Sequence, residues 1–354
     1  MKFVHIADVH FDKPFTLLEQ NGLSERRRLE QREAFHNVIT HCKENKVDAL
    51  LIAGDLYEHE YVRKSTIEFI NQCFQEIEET TRVFIAPGNH DPYLTNSYYH
   101  HFGWNSNVKI FDRLEKVELD GANIYGYGFT DFYNPPMALP QHLDSTKANI
   151  LVMHADVNGA KDGENHYNPI LETALRESEF AYIALGHIHK NNLSERTKWV
   201  YPGSLVAGGF DELGKHGMVV GEVDEAMQKV TLTFQPVDCK EFLVKQVDVS
   251  TMNSEEEVIE AINNIQWDVP GYYKVELVGV KQTEINTNTI LKNINYSEVL
   301  KIKDKTSIAY NIEALAREKT LKGIFVQELL QQIKEDKTNE EEIMKLVELG
   351  LQAM

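Results

Sequence analysis

The first ninety residues alternate between short apolar runs and longer amphipathic stretches. Lys2 to Ala7 reads as an opening strand, followed at once by Asp8-Val9-His10. From Ser24, placed as a cap, Leu29, Phe35, Val38 and Ile39 recur at helical spacing to about Asn45. Val47 to Ala53 is apolar except for Asp48, the pattern of a buried parallel strand, and it ends in Gly54-Asp55. Ile67, Ile70, Phe74 and Ile77 mark one face of a second helix. Thr81 to Ile85 then leads into Ala86-Pro87-Gly88-Asn89-His90-Asp91. Strand, helix, strand, helix, strand predicts a parallel, right-handed βαβαβ array.

Beyond Asp91, the runs Val108 to Phe111, Leu114 to Leu119 and Asn123 to Tyr127 predict strands, with Asp120-Gly121 as a hairpin turn. Ala148 to Met153 predicts a buried strand ending in His154, and Phe180 to Leu185 another ending in Gly186-His187-Ile188-His189. Lys198 to Tyr201, Met218 to Val223 and Lys229 to Phe234 predict an antiparallel second half of the sheet. The composition shifts near Cys239, which divides the chain into residues 1–238, a small α/β segment at 239–305 and a helical segment at 306–354. In the small segment, Glu255-Glu256-Glu257 after Ser254 suits a helix N-terminus. In the last, Ile324, Phe325, Leu329, Leu330 and Ile333 form one stripe, and Ile343, Leu346, Val347, Leu349 and Leu351 another. The break at Asp336-Lys337-Thr338-Asn339 makes them a helical hairpin.

A chain of 354 residues exceeds one compact core. Its net charge of −19, from 36 basic and 55 acidic residues, excludes coating by nucleic acid through bulk electrostatics. It leaves room for a nuclease whose positive charge comes from divalent ions and a partner protein. Cys42, Cys73 and Cys239 form no disulfide framework or zinc spacing. No apolar run is long enough to cross a membrane, and Met1 to Ile6 reads as a strand rather than a signal peptide. A cytoplasmic location is expected.

Five predicted strand ends carry metal-binding chemistry: Asp8 with His10, Asp55, Asn89 with His90, His154, and His187 with His189. Residues two apart on a strand end point the same way. Carboxylate and amide oxygens mixed with imidazoles favour Mn²⁺, Fe²⁺, Zn²⁺ or Mg²⁺ over softer ions. With His90 set aside, the remaining set exceeds what one ion takes and suits two sharing a carboxylate. Such a pair, about 3.5–4 Å apart, is the usual clamp for in-line phosphoryl chemistry.

In these blocks the chain resembles the calcineurin-like metallophosphoesterase superfamily over roughly residues 1–240. The resemblance implies a β-sandwich flanked by helices, with Asp8, His10, Asp55 and His189 holding a first metal, most simply Mn²⁺. Asp55, Asn89, His154 and His187 would hold the second. His90 would be the catalytic histidine outside the ligand set and Asp91 its orienter. His5-Ile6-Ala7-Asp8-Val9-His10-Phe11 is similar to the opening of the SbcD- and YhaO-type DNA repair exonucleases. That likeness implies a DNA substrate, a small α/β capping domain, and a helical tail that docks on an SMC-like coiled-coil ABC ATPase. The alternatives are a phosphodiesterase or phosphatase on other phosphoesters, or a regulatory subunit with a vestigial site. Glu58 departs from the His or Asp that several of these nucleases carry in the segment after Gly54-Asp55.

Other side chains have plainer readings. His5 packs inside a strand, and His36 and His41 fall in the first helix. His59, His100, His101, His142, His166 and His216 are surface histidines by pattern. Tyr57, Tyr93, Tyr98, Tyr99 and Trp104 either stack on bases or pack in a core or dimer. Arg26-Arg27-Arg28 reads as a charged helix face, and the face from Ile67 to Ile77 is a candidate homodimer surface.

Overall fold

Apolar runs that lack a polar face must be covered on both sides, and the fold provides that cover with two stacked sheets and outer helices. The structure is a computed structural model. It describes residues 1–354 apart from 20–21, 160–165, 195–197, 225, 227–228, 238, 283, 309–311, 336–338 and 354. Two compact units emerge, residues 1–243 with 268–272, and residues 244–267 with 273–354.

The first unit runs β1 (Lys2–Ile6), α1 (Thr16–Glu19), α2 (Ser24–Asn45), β2 (Ala49–Ile52), α3 (Lys64–Gln75), β3 (Arg82–Ile85), α4 (Tyr98–His101) and β4 (Val108–Ile110). It continues through β5 (Glu115–Glu118), β6 (Ala122–Tyr127), β7 (Ala148–His154), α5 (Glu172–Glu177), β8 (Tyr182–Gly186), β9 (Trp199–Val200), β10 (Gly217–Asp224) and β11 (Lys229–Pro236). One sheet has the order β11-β10-β1-β2-β3-β4, in which β1 to β4 are parallel and β10 and β11 antiparallel. The other has the order β5-β6-β7-β8-β9, parallel except for β5, which the Asp120-Gly121 turn folds back.

Alternation along each strand builds the layers. Phe3, Leu51 and Phe84 point inward to meet Ile124, Ile150, Val152 and Tyr182 of the second sheet. Val4, Ile6, Leu50 and Ile52 point outward, onto Phe35, Val38 and Ile39 of α2 and Ile67, Ile70 and Phe74 of α3. Leu151, Met153 and Leu185 cover the other side with Leu175 of α5.

Several expectations are corrected. Lys198 to Tyr201 does not join an antiparallel half; β9 is the parallel edge of the second sheet, reached by a connection long enough for a crossover. Ser24 is the first helical residue of α2, not its cap, and Leu29 is 61% exposed, because the buried stripe runs through Ala34, Phe35, Val38, Ile39 and Cys42. The face from Ile67 to Ile77 is buried in its own unit, so it is no dimer surface. Tyr57 and Tyr99 are likewise core residues that cannot stack on a base. Arg27 is fully buried rather than part of a charged face. Its guanidinium donates to Ala207 O and Lys240 O, pairs with Glu30, and lies 5.4 Å from the ring centres of both Phe242 and Tyr272. His216 is buried too, against Ser204. His5 packs as expected, bonded to the Tyr182 hydroxyl at 2.8 Å.

The second unit carries most of β12 (Glu241–Asp248), then α6 (Glu255–Asn263), most of β13 (Gly271–Val278), β14 (Val280–Lys281), α7 (Thr287–Lys292), β15 (Val299–Asp304) and β16 (Ser307–Ile308). It ends in α8 (Ile312–Leu315), α9 (Leu321–Glu335) and α10 (Glu340–Ala353). Its main sheet has the order β12-β13-β15, and Ser254 caps α6 by accepting from Glu257 N. Helices α9 and α10 form a hairpin around Val326, Val347 and Leu351, with Phe325, Leu329 and Leu330 beside them. Most of the predicted break, residues 336–338, lies outside the described residues. Leu321, Ile324, Leu346 and Leu349 are 74%, 60%, 53% and 63% exposed.

Candidate metal centre

Parallel strands present their carboxyl ends on one rim of a sheet, and here the rims of both sheets coincide. Asp8 and His10 follow β1, Asp55 follows β2, Asn89 and His90 follow β3, His154 ends β7, and His187 and His189 follow β8. The β1–β2 ladder continues past the strands, His10 N donating to Asp55 O at 2.8 Å. Asp8, His10, Asp55 and His187 all take positive φ, at 51°, 53°, 53° and 112°. Such strained backbone gathers at functional sites. Gly54, at φ 88°, lets the loops after β2 and β3 meet: a Cβ there would strike His154 Nδ1 and lie 2.9 Å from Gly88 Cα.

Three overlapping clusters bring donor atoms within 4.8 Å of one another: Asp8, His10 and His189; Asp8, Asp55 and His154; and His10, Asp55 and His90. Asn89 joins through Oδ1, 3.0 Å from His154 Nε2. His187 falls outside these clusters, although its ring lies 5.2 Å from that of His154 and its backbone N–H reaches both Asp8 carboxylate oxygens at 3.1 Å.

The hydrogen bonds fix which ring nitrogens face the centre. Glu58 accepts from His10 Nδ1 at 2.8 Å and Glu212 from His189 Nδ1 at 2.7 Å, which leaves both Nε2 atoms with lone pairs, facing each other at 3.1 Å. Ala53 O accepts from His154 Nδ1 at 2.9 Å, so His154 Nε2 turns its lone pair toward Asn89 Oδ1. Lone pairs aimed at one another repel unless a cation lies among them. Among the described residues, the ion pairs of Asp8 and Asp55 are all to histidines. Burial, then the neighbouring Asp55 charge, pushes the Asp8 carboxyl up, and burial pushes His10 and His154 down. Burial also works against the Asp55 carboxylate, but His154, His10 and His90 hold its pKa low. This donor set fits divalent cations.

Asp91 does not orient His90. Its buried carboxylate accepts from Gly88 N at 2.7 Å, Asp55 N at 3.0 Å, Leu56 N at 2.6 Å and the Tyr99 hydroxyl at 2.7 Å. These bonds use up its oxygens and tie the two loops together. The partner of His90 is Glu58, whose second oxygen lies 2.8 Å from His90 Nδ1. That bond raises the His90 pKa to about 9 against the opposing effect of burial. Burial holds Glu58 up, yet its bonds to His10 and His90 bring it well below the usual carboxylate range.

Sequence reasoning passed over Glu212, which also accepts from Ser204 Oγ at 2.6 Å and Gly208 N at 3.0 Å. No spacing signal marks it. Glu58 carried a signal, its place three residues after Asp55, but not its role.

A rim of carboxylates and inward-facing imidazoles on this sandwich is a candidate centre for divalent metal ions. Residues 1–191 match the family model of the calcineurin-like phosphoesterases, and the chain belongs to that family, whose members use a divalent metal centre. It is similar to the uncharacterized metallophosphoesterase YhaO of Bacillus subtilis (strain 168), 27% identical over 231 residues that cover 61% of this chain. The match spans 56% of that relative's length. A solved structure, that of TT1561 of Thermus thermophilus, aligns with 66% of this chain and 98% of its own at 12% identity and a TM-score of 0.36.

Proposed function

We propose that the chain hydrolyses DNA phosphodiesters from an end, using two divalent ions, most simply Mn²⁺, in partnership with an SMC-like coiled-coil ABC ATPase. The observation that carries the chemistry is the Glu58 bridge, which joins an inward-facing histidine, His10, to a half-exposed one, His90, at the mouth of the donor clusters. Asp8, His10, Asp55 and His189 would hold one ion and Asp55, Asn89, His154 and His187 the other. Bound there, the ions would supply the Lewis acidity that activates a water and offsets charge on the phosphoryl oxygens. His90, protonated at neutral pH, gives its proton to the leaving sugar oxygen, and Glu58 keeps the ring aimed.

The DNA reading is supported by the resemblance of His5 to Phe11 to the repair exonucleases. The partner reading is supported by Leu321, Ile324, Leu346 and Leu349, an exposed apolar set on the helical hairpin with no cover of its own. In this scheme residues 239–305 form the capping domain and 306–354 the docking tail. The ATPase supplies much of the DNA grip that a chain of charge −19 lacks. No helix among the described residues is long and apolar enough to cross a membrane, and a cytoplasmic site of action is part of the proposal.

The test incubates the protein and Mn²⁺ with end-labelled DNA or a small bis-phosphodiester, comparing wild type with His90→Ala and Asp55→Ala. Metal-dependent cleavage of DNA, lost in both variants, supports the proposal. Turnover of the small substrate alone sinks the nuclease reading, and no turnover of either points to a regulatory subunit. Copurification with a coiled-coil ATPase, abolished by deletion beyond Glu318, tests the tail. The native mass measured alongside reads out a homodimer.

A further inference from the structure

Beside His90 and Asn89 opens a cavity of about 520 Å³ whose far wall is aromatic, formed by Phe132, Tyr133 and Tyr167, with Tyr61 at its edge. We propose that this cavity is a nucleobase subsite, which takes the base adjoining the phosphoester held at the metal centre; the inference rests on the nuclease reading above. Of the five aromatic candidates for base stacking, Tyr57 and Tyr99 are in the core and Tyr93, Tyr98 and Trp104 are half-buried against it, whereas the rings of this cavity line open space beside His90.

Three observations carry the assignment. Phe132, Tyr133 and Tyr61 are 37%, 44% and 54% exposed, a concentration of large aromatic surface in one place that packing does not use. The rings are graded toward the centre: Tyr133 and Tyr167 lie 5.5 Å apart, and Tyr167 is 5.1 Å from His187 with 31° between planes. The wall is anchored rather than loose. Asn134 N donates to His166 O, Asn168 N to Asn134 O, both at 2.8 Å, and the buried Asn168 side chain donates to His154 O at 3.1 Å. The rings are thereby fixed to the strand end that presents His154.

The lining also selects the occupant. Among the described residues it contains no aliphatic side chain, which suits a flat ring over an alkyl chain. Among the described residues it contains no Lys or Arg, and Glu58 and Glu60 stand beside His90, so the protonated His90 ring is left with little net charge to draw a second phosphate. A neutral heterocycle meets both conditions, and stacking on aromatic faces accepts any base without reading sequence.

The test uses the full chain without metal and the neutral nucleoside 2-aminopurine deoxyriboside, whose fluorescence falls on stacking. Wild type should quench it saturably. A variant combining Phe132→Ala and Tyr133→Ala should bind about ten-fold or more weakly, and one combining Phe132→Tyr and Tyr133→Phe should restore binding. With Mn²⁺ present, wild type should cleave DNA ending in an abasic residue about ten-fold less efficiently in kcat/KM than DNA ending in a normal nucleotide. In the alanine variant that ratio should collapse toward one. Equal quenching by wild type and the alanine variant, or no quenching by wild type, overturns the subsite. Quenching that depends on the rings, with no DNA cleaved by wild type, keeps a base site and instead overturns the nuclease reading.

Discussion

Glu58→Gln preserves the size and shape of the side chain while removing half of its accepting capacity. The wild-type carboxylate accepts two ring N–H groups, from His10 and His90, each at 2.8 Å, and is only 8% exposed. Glutamine offers one accepting oxygen and turns an NH₂ group toward the other ring, so one imidazole N–H is left without a partner. A buried donor left unpaired costs about 1–3 kcal/mol, or about 5- to 150-fold in an equilibrium or rate. If His90 is the ring released, its positioned proton is lost and kcat falls about 100-fold at saturating Mn²⁺. If His10 is released, Mn²⁺ affinity falls about 10- to 100-fold. Hydrolysis of a small bis-phosphodiester, measured as kcat across an Mn²⁺ titration, separates the two. A Gln variant with wild-type kcat and wild-type Mn²⁺ dependence would refute the role of the bridge.

Three further outcomes follow from other bonds. Asp91→Asn should act on stability rather than selectively on catalysis, because four donors converge on that buried carboxylate; Tm in a thermal melt should fall by about 10 °C, whereas His90→Ala should melt near wild type. Gly54→Ala should destabilise the fold and weaken Mn²⁺ binding together, since a Cβ at φ 88° would strike His154 Nδ1; a calorimetric titration with wild-type affinity would contradict this. Burial takes the His5 pKa from 6.5 down to about 3 in the folded chain. The unfolded chain binds that proton below 6.5, so the contribution of neutral His5 is complete above 6.5 and is lost as pH falls toward 3, at about 1.4 kcal/mol per pH unit. His5→Phe should therefore show a shallower loss of stability on acidification in urea melts between pH 4.5 and 7.5, and an unchanged slope would contradict it.

What was legible in the sequence was whatever local pattern controls. Runs such as Val47 to Ala53 and Ala148 to Met153 can be buried only as strands between layers, and the polar residues that end them mark one rim. What escaped depends on approach in space. Glu212 lies in a loop far along the chain from His189, and nothing local announces that its carboxylate accepts from that ring. Asp91 looked like an orienter because it neighbours His90, yet backbone N–H groups of two loops claim its oxygens first. Arg27 looked like surface because arginine usually is, whereas two carbonyls, a carboxylate and two rings compensate its burial. The parallel return of β9 was hidden because a two-residue strand carries almost no periodicity.

The central claim is that these strand ends hold two divalent ions through a shared Asp55. Equilibrium Mn²⁺ binding to the full chain, counted per chain for wild type and Asp55→Ala, tests it directly. Two ions bound by wild type, with both sites weakened together in the variant, is the predicted result. Stoichiometry that Asp55→Ala leaves unchanged, or no Mn²⁺ bound by wild type, would contradict it.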